Sequence, residues 1–270
     1  MPEERVTIEV RDGVADVRLN RPEKMNALDP AMFDAIREAA ASVSADASIR
    51  AVVLSGAGRA FCAGLDFQSF QAMEGRPPRE NTGDLLSKGP QTRANAAQSV
   101  AWAWREAPMP VIAAVHGVAF GGGLQIALGA DIRFVAPDAR LSIMEGRWGL
   151  VPDMAGTQLL RHVAREDFVK ELTYTARIVQ GVEAVEVGLA THVSEEPREA
   201  ALALAREIAQ KSPHAVRAQK ALLNQSVELD AATGLALEAS LQASLIGTPN
   251  QQEAVRANLE KRPATYQDPG

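Results

Sequence analysis

Four short stretches of this chain carry groups that could act on a substrate: Cys62 to Asp66, Gly121 to Gln125, Glu145 and Asp153. Gly121, Gly122 and Gly123 follow the apolar run Val111 to Val115 and lead into helical apolar spacing, so an extended segment enters a helix through three residues without β-carbons. The first N–H groups of a helix have no partner inside it and lie at the positive end of its dipole. Two readings follow, close helix packing or a site for an anion or oxyanion. Gly64 marks a second turn at a strand end, and amides from two such loops that converge on one oxygen form an oxyanion hole.

Glu145 lies between apolar Ile143 and Met144 and the bend from Gly146 to Trp148. It reads either as a surface loop carboxylate or as a partly buried general acid/base whose proton affinity burial raises. Asp153 fits acid/base chemistry or the cap of a helix starting near Ala155. Gln125 falls within one helical turn of Gly122 and can orient a ligand or a water, but its amide has no titrating proton.

Other chemistries lack their parts. Gly56 to Gly58 is not a full dinucleotide fingerprint, no Walker lysine follows a phosphate loop, and no Gly-x-Ser-x-Gly elbow occurs. His116, His162, His192 and His214 have no metal-ligand spacing, so no metal is expected. Cys62 is the single cysteine; it has no evident activating partner and reads as a packed side chain in a reducing compartment. The formal net charge of -6 over 270 residues gives no general nucleic-acid surface. Apolar stretches are short, so no membrane insertion is expected, and Glu3, Glu4 and Arg5 interrupt any secretion signal. The expectation is a soluble cytoplasmic protein with a core too large to need staples.

The elements that must position these groups alternate strand and helix. Val6, Ile8 and Val10, then Val17 and Leu19, predict a hairpin around Asp12 and Gly13. Asp29 and Pro30 start a helix with Met32, Phe33, Ile36, Ala39, Ala40 and Val43 on one face. Ala51 to Leu54 and Val111 to Val115 read as buried core strands, Ile132 to Val135 and Leu141 to Met144 as further short strands and Val193 as part of a last small one, in a layered α/β arrangement with parallel crossovers. Phe67 to Met73 and Gln91 to Ala107 predict helices on either side of Glu74 to Pro90, a Gly-, Pro- and charge-rich stretch that reads as a mobile flap or surface loop. Glu145 to Asp153 is too rich in glycine for a helix, whereas Ala155 to Val163, Glu166 to Thr175 and Val182 to Val187 are helical. After Pro197 only helical patterns remain, so residues 1-196 read as an α/β core and 197-270 as a helical region that covers the core or packs on a neighbouring subunit.

Asn20 to Leu28, Ala60 to Asp66, His116 to Leu124, Ala130 to Arg133 and Gly149 to Thr157, in this order, resemble the crotonase or enoyl-CoA hydratase/isomerase family over nearly the whole chain. The resemblance implies a spiral of ββα units, a carboxyl-terminal helical region that supports a homotrimer or a dimer of trimers, and an acyl-CoA substrate. Coenzyme A then arrives on the thioester, with no separate cofactor. It also implies that Lys24, Ala27 and Leu28 lie near the CoA moiety and Ala63 near its adenine, and that the N–H groups of Leu65 and Gly122 hold the thioester oxygen. A hydratase of this family has glutamates matching both Gln125 and Glu145, and only Glu145 is present. The dienoyl-CoA isomerase branch has carboxylates matching Glu145 and Asp153, with an aspartate matching Gln125. The expectation is a double-bond isomerase that moves a proton through Glu145. The alternatives are a hydratase adding water to 2-enoyl-CoA and a catalytically silent acyl-CoA-binding oligomer. Arg76, Arg79, Lys88, Lys211, Lys220, Lys261 and Arg262 are candidate phosphate or rim contacts, each also readable as a solvated charge.

Overall fold

The computed structural model describes residues 4–71 and 93–270. Strands β1 (Val6–Arg11) and β2 (Val14–Leu19) form the expected antiparallel hairpin, turned by Asp12 and Gly13 in left-handed backbone. Helix α1 (Pro30–Ala45) starts where Asp29 accepts a hydrogen bond from the Met32 N–H at 2.8 Å, and it leads to β3 (Ala51–Gly56). Helix α2 (Phe67–Gln71) closes the first described segment, and the stretch Glu74 to Pro90 lies outside the described residues. The next helix, α3 (Ala96–Glu106), begins later than the sequence predicts because Asn95 and Gln98 form a reciprocal capping box there.

Strand β4 (Val111–Val115) is followed by β5 (Val118–Phe120), helix α4 (Gly122–Leu128), β6 (Ile132–Val135) and β7 (Arg140–Ser142). Then come α5 (Gly156–Leu160), α6 (Glu166–Thr175), β8 (Val179–Gln180), α7 (Gly181–Glu186) and β9 (His192–Val193). The chain ends with α8 (Pro197–Ala209), α9 (Pro213–Ser226), α10 (Ala231–Leu245) and α11 (Pro249–Glu260).

One sheet has the order β1-β2-β3-β4-β6-β9 and is parallel from β2 onward; a second, β5-β7-β8, stands beside it. Sequence reading misses β5 and β8, because strands of three and two residues are too short for alternation to register. Helix α5 is also shorter than Ala155 to Val163, and Glu145–Trp148 forms a 3-10 turn in the segment read as irregular.

Alternation along each strand divides the core. Val52, Leu54, Ala113 and Val115 face α1, α3 and α4, whereas Ala51, Val53, Ile112 and Ala114 pack against Ala201, Ala205 and Ala209 of α8. Strand ends and loops are thereby left as the places where backbone groups stay open. Helix α9 is tied down by the buried Lys220, whose Nζ donates to the Trp104 and Met109 carbonyls at 3.0 Å and pairs with Asp131 at 2.8 Å. Helix α10 buries none of its residues, although it carries Leu235, Leu237, Leu241 and Leu245. No described helix is long and apolar enough to cross a membrane.

Candidate active site

Two loops meet at the ends of β3 and β5. The Cys62 N–H donates to the Val118 carbonyl at 3.0 Å and the Phe120 N–H to the Cys62 carbonyl at 3.1 Å, which fastens the segment after β3 along β5. On its other side the same segment pairs with Leu28: Leu28 N–H donates to the Gly64 carbonyl at 2.8 Å and Asp66 N–H to the Leu28 carbonyl at 3.0 Å. In a parallel bridge of this kind the central residue turns its own N–H away from its partner strand. The Leu65 N–H therefore faces away from Leu28 and has no hydrogen-bond partner among the described residues.

Gly64 has φ +87°, and a β-carbon there would lie 2.6 Å from the Phe120 carbonyl oxygen and 3.8 Å from the Gly122 nitrogen. A side chain is excluded by both conformation and space. The two glycine loops are thus in direct contact, and the Gly122 N–H, the first of α4, is likewise unpartnered among the described residues. A β-carbon on Gly122 would strike Met154 Sδ at 2.6 Å and Leu28 Cδ1 at 2.9 Å, so those two side chains close over this position.

The carboxylate of Glu145 packs against the same turn. Gly121 has φ +50°, and a β-carbon there would meet Glu145 Oε1 at 3.1 Å. Gln125 Nε2 donates to Glu145 Oε1 at 2.6 Å, while Gln125 Oε1 accepts from the Met154 N–H at 2.9 Å and the Gly156 N–H at 2.8 Å. These bonds fix the amide orientation, since the oxygen must face two donors and the nitrogen must face the acid. Glu145 is 8% exposed, and its second oxygen, Oε2, is buried without a hydrogen-bond partner among the described residues. Burial pushes its carboxyl above the usual range, with repulsion from Asp153 adding to this and the Gln125 bond opposing it.

Asp153 does not cap a helix: Ala155 stands at the start of α5, in left-handed backbone and without a side-chain cap. The aspartate keeps an exposed edge, yet the surrounding chain withholds enough water to push its carboxyl upward as well. The structure thus brings together Leu65, Gly122, Gln125 and Glu145, with Asp153 electrostatically coupled to Glu145. That arrangement offers backbone donors for a developing oxyanion and a poorly solvated acid/base beside them.

Lys24 is exposed at the end of the turn Pro22–Lys24, and Ala63 is half-buried with its N–H donated to the Met25 carbonyl at 2.9 Å. Ala27 and Leu28 are buried, and the Leu28 side chain belongs to the core under the glycine turn. Met25 and Asn26 both adopt left-handed backbone. Buried Asn26 holds this loop, accepting from the Arg21 N–H at 2.8 Å and donating to the Ala57, Ala60 and Phe61 carbonyls at 2.8–3.1 Å. Sequence reading does not single out Asn26 or Arg21, since a polar residue in a polar loop gives no sign that the loop will be buried, and it passes over Asp66 although apolar Leu65 and Phe67 flank it.

Other candidates resolve into structural parts. Lys220 is not a rim contact, because its ammonium is buried and used within the fold. Arg262 pairs with Glu253 and Glu260 at 2.6 Å, whereas Arg76, Arg79 and Lys88 lie outside the described residues. Cys62 is fully buried, donates to the Asn26 carbonyl, and has its thiol pushed up to about 12 by burial, which suits packing and not nucleophilic attack.

Residues 9–269 match the family described as enoyl-CoA hydratase/isomerase. Over 261 residues the chain is 34% identical to mitochondrial methylglutaconyl-CoA hydratase of Mus musculus, covering 94% of this chain and 79% of that protein. It is also 34% identical to the mitochondrial Delta(3,5)-Delta(2,4)-dienoyl-CoA isomerase of the same species, over 92% of this chain and 77% of that one. Among solved structures, an enoyl-CoA hydratase from Bacillus anthracis superposes with a TM-score of 0.88 at 30% identity, covering 97% of this chain and 98% of that chain. The chain belongs to the enoyl-CoA hydratase/isomerase, or crotonase, family: it has the crotonase-like α/β fold of repeated ββα units with a carboxyl-terminal helical bundle, and it is a crotonase-superfamily enzyme acting on acyl-CoA substrates. The expectation of a cytoplasmic location does not stand, because the named relatives on both branches are mitochondrial proteins. A single buried thiol carries no address, since it packs identically in any reducing compartment.

Proposed function

We propose that this crotonase-family enzyme shifts a carbon–carbon double bond in an acyl-CoA thioester. Glu145 is the proton carrier, and the Leu65 and Gly122 N–H groups form the oxyanion hole. The observation that carries this reading is the hydrogen-bonding of Gln125. Its oxygen is taken by two backbone donors and its nitrogen faces Glu145, so it neither gives nor accepts a proton during turnover. Of the two side chains joined by this bond, only Glu145 can exchange a proton, and its free oxygen is Oε2.

In the proposed reaction the thioester oxygen accepts hydrogen bonds from Leu65 and Gly122. Glu145 Oε2 removes a proton from C2, the electron pair moves into a dienolate, and negative charge reaches the thioester oxygen. One fixed donor at that point is worth roughly 3–4 kcal/mol in the transition state. The proton returns at C4 from Glu145; with a conjugated dienyl chain, an Asp153 that starts protonated gives its proton to C6 while the C2 proton stays on Glu145, and the two acids then regain their starting protonation by exchange with solvent. In either case the double bond ends adjacent to the carbonyl. The raised proton affinities of Glu145 and Asp153, both caused mainly by burial, suit groups that must both take and give a proton. Lys24, Ala27, Leu28 and Ala63 are assigned to the CoA moiety, with Lys24 presenting an exposed ammonium for phosphate and Ala63 a half-buried surface for the adenine. The fully buried Leu28 contributes through its backbone segment.

Hydration is the second reading, favoured by the coupling of Asp153 to Glu145, which supplies another carboxylate to activate water. We further propose a homotrimer or a dimer of trimers, supported by helix α10, which has no fully buried residue within one chain and leaves Leu235 exposed. A crystal structure with a bound, non-reacting acyl-CoA tests the site directly. It is expected to place the thioester oxygen within hydrogen-bond distance of both amides and C2 beside Glu145 Oε2. A carbonyl bound elsewhere, or a Glu145 carboxyl turned away from C2, overturns the assignment.

A further inference from the structure

Behind the Leu65 amide lies a buried ion pair. Arg21 is 9% and Asp66 6% exposed, and Arg21 Nη1 donates to Asp66 Oδ2 at 2.5 Å. The same Nη1 donates to the Ala27 carbonyl at 3.1 Å and lies 3.6 Å from Asp29. Asp66 Oδ1 accepts the Gln68 N–H at 2.9 Å, which anchors the start of α2. Each of these residues adjoins the Leu28–Leu65 bridge: Ala27 precedes Leu28 and Asp66 follows Leu65. A single guanidinium therefore grips both strands of the bridge whose geometry sets the direction of the Leu65 N–H. A second fixed point comes from Asn26, which accepts the Arg21 N–H and donates to the Phe61 carbonyl just ahead of the Cys62 to Asp66 segment.

We infer that Arg21 and Asp66 are positioning residues for the reaction: their buried ion pair aims the Leu65 N–H at the thioester oxygen and couples the CoA-side loop to the oxyanion hole. The inference rests on the proposed role of Leu65. Burying two charges for stability alone is a poor device, because desolvation consumes most of the attraction and an apolar pair would serve as well. Holding a backbone donor in a fixed direction needs the directional, two-sided grip that a guanidinium supplies and an apolar contact does not. A misaim of about 1 Å at a reacting group costs about a hundredfold in rate.

Two variants separate aim from folding. Asp66→Asn keeps the shape and removes the charge; Arg21→Lys keeps the charge but cannot span the Ala27 carbonyl and the Asp66 carboxylate in the same geometry. Butanoyl-CoA, isotope-labelled at the carbonyl carbon, serves as an unreactive probe, and infrared difference spectra report how strongly its carbonyl is polarised when bound. The wild-type protein is expected to move the carbonyl band to lower frequency, and each variant to return it toward the free value. In parallel kcat falls about 10- to 100-fold, with a smaller change in KM. Variants that fold, bind the probe and keep both the band position and kcat overturn the inference. If Asp66→Asn does not fold, Arg21→Lys gives the same readout with the charge retained. A wild-type protein that binds the probe without any band shift instead overturns the oxyanion role of Leu65 itself, so the two failures are distinct.

Discussion

The two halves of the site are built on opposite principles. On the amide side nearly every polar group around Leu65 is committed: Gly64 and Asp66 to Leu28, Cys62 to Val118 and Phe120, Arg21 to Ala27 and Asp66. The donors left over are backbone groups, which any side chain at position 65 would leave in place. On the acid side one side-chain bond, Gln125 to Glu145, separates a satisfied oxygen from an unsatisfied one. The first half is rigid and indifferent to which acyl-CoA reaction it serves, since each sends charge to the same oxygen. In the proposed mechanism the second half selects the reaction, through Glu145, Gln125 and Asp153.

Breaking the acid side has the largest expected effect. Glu145→Gln is expected to lower turnover about 10²- to 10⁴-fold while calorimetry shows acyl-CoA binding nearly unchanged. Retained turnover would point to another base. The same substitution is expected to stabilise the fold at neutral pH. Since burial raises the Glu145 carboxyl in the folded state, its stabilising contribution is present at low pH and is lost as pH rises through the folded value. The variant's advantage in thermal unfolding is therefore expected at neutral pH and should vanish in acid.

Breaking the amide side acts through the backbone. Gly64→Ala forces a side chain into left-handed backbone and against the Phe120 carbonyl, at a cost of about 1–3 kcal/mol, with a matching drop in melting temperature and loss of activity. Leu65→Ala, by contrast, keeps the N–H and is expected to change kcat by less than about threefold. A large kcat loss in a well-folded Leu65→Ala protein would contradict the backbone assignment.

Two substitutions sharpen the comparison. In Gln125→Glu one oxygen can keep the Met154 and Gly156 donors while the other meets Glu145, and two carboxylates at that separation must share a proton. Water addition to 2-enoyl-CoA is expected to rise about tenfold as isomerisation falls. Asp153→Asn removes the charge that helps raise Glu145, so the acidic limb of kcat/KM is expected to move to lower pH, by the smallest effect of the series. An unmoved limb would separate Asp153 from the chemistry.

The parts of this site visible in the sequence are those that need unusual residue types. Gly64, Gly121 and Gly122 stand out because only glycine fits their conformation or their space, and Glu145 because apolar neighbours flank a charge. The parallel core was legible for the same reason, through the continuous apolar runs of β3 and β4. Arg21 and Asn26 were not, because they sit in a polar stretch and are buried only by the fold; Asp66 was not, although Leu65 and Phe67 flank it, because its partner Arg21 lies 45 residues away. Gln125 could be read as unable to titrate, but its grip on the Met154 and Gly156 amides depends on contacts 29 and 31 residues away. Short strands such as β5 carry too few residues to announce themselves, although β5 is the surface on which the Gly64 loop is laid.

The most direct test compares substrates of one chain length on the purified enzyme. If one buried acid carries the proton and Gln125 only holds it in place, kcat/KM for moving the double bond of a 3-enoyl-CoA or 3,5-dienoyl-CoA exceeds that for adding water to the 2-enoyl-CoA. Faster formation of 3-hydroxyacyl-CoA would contradict the account.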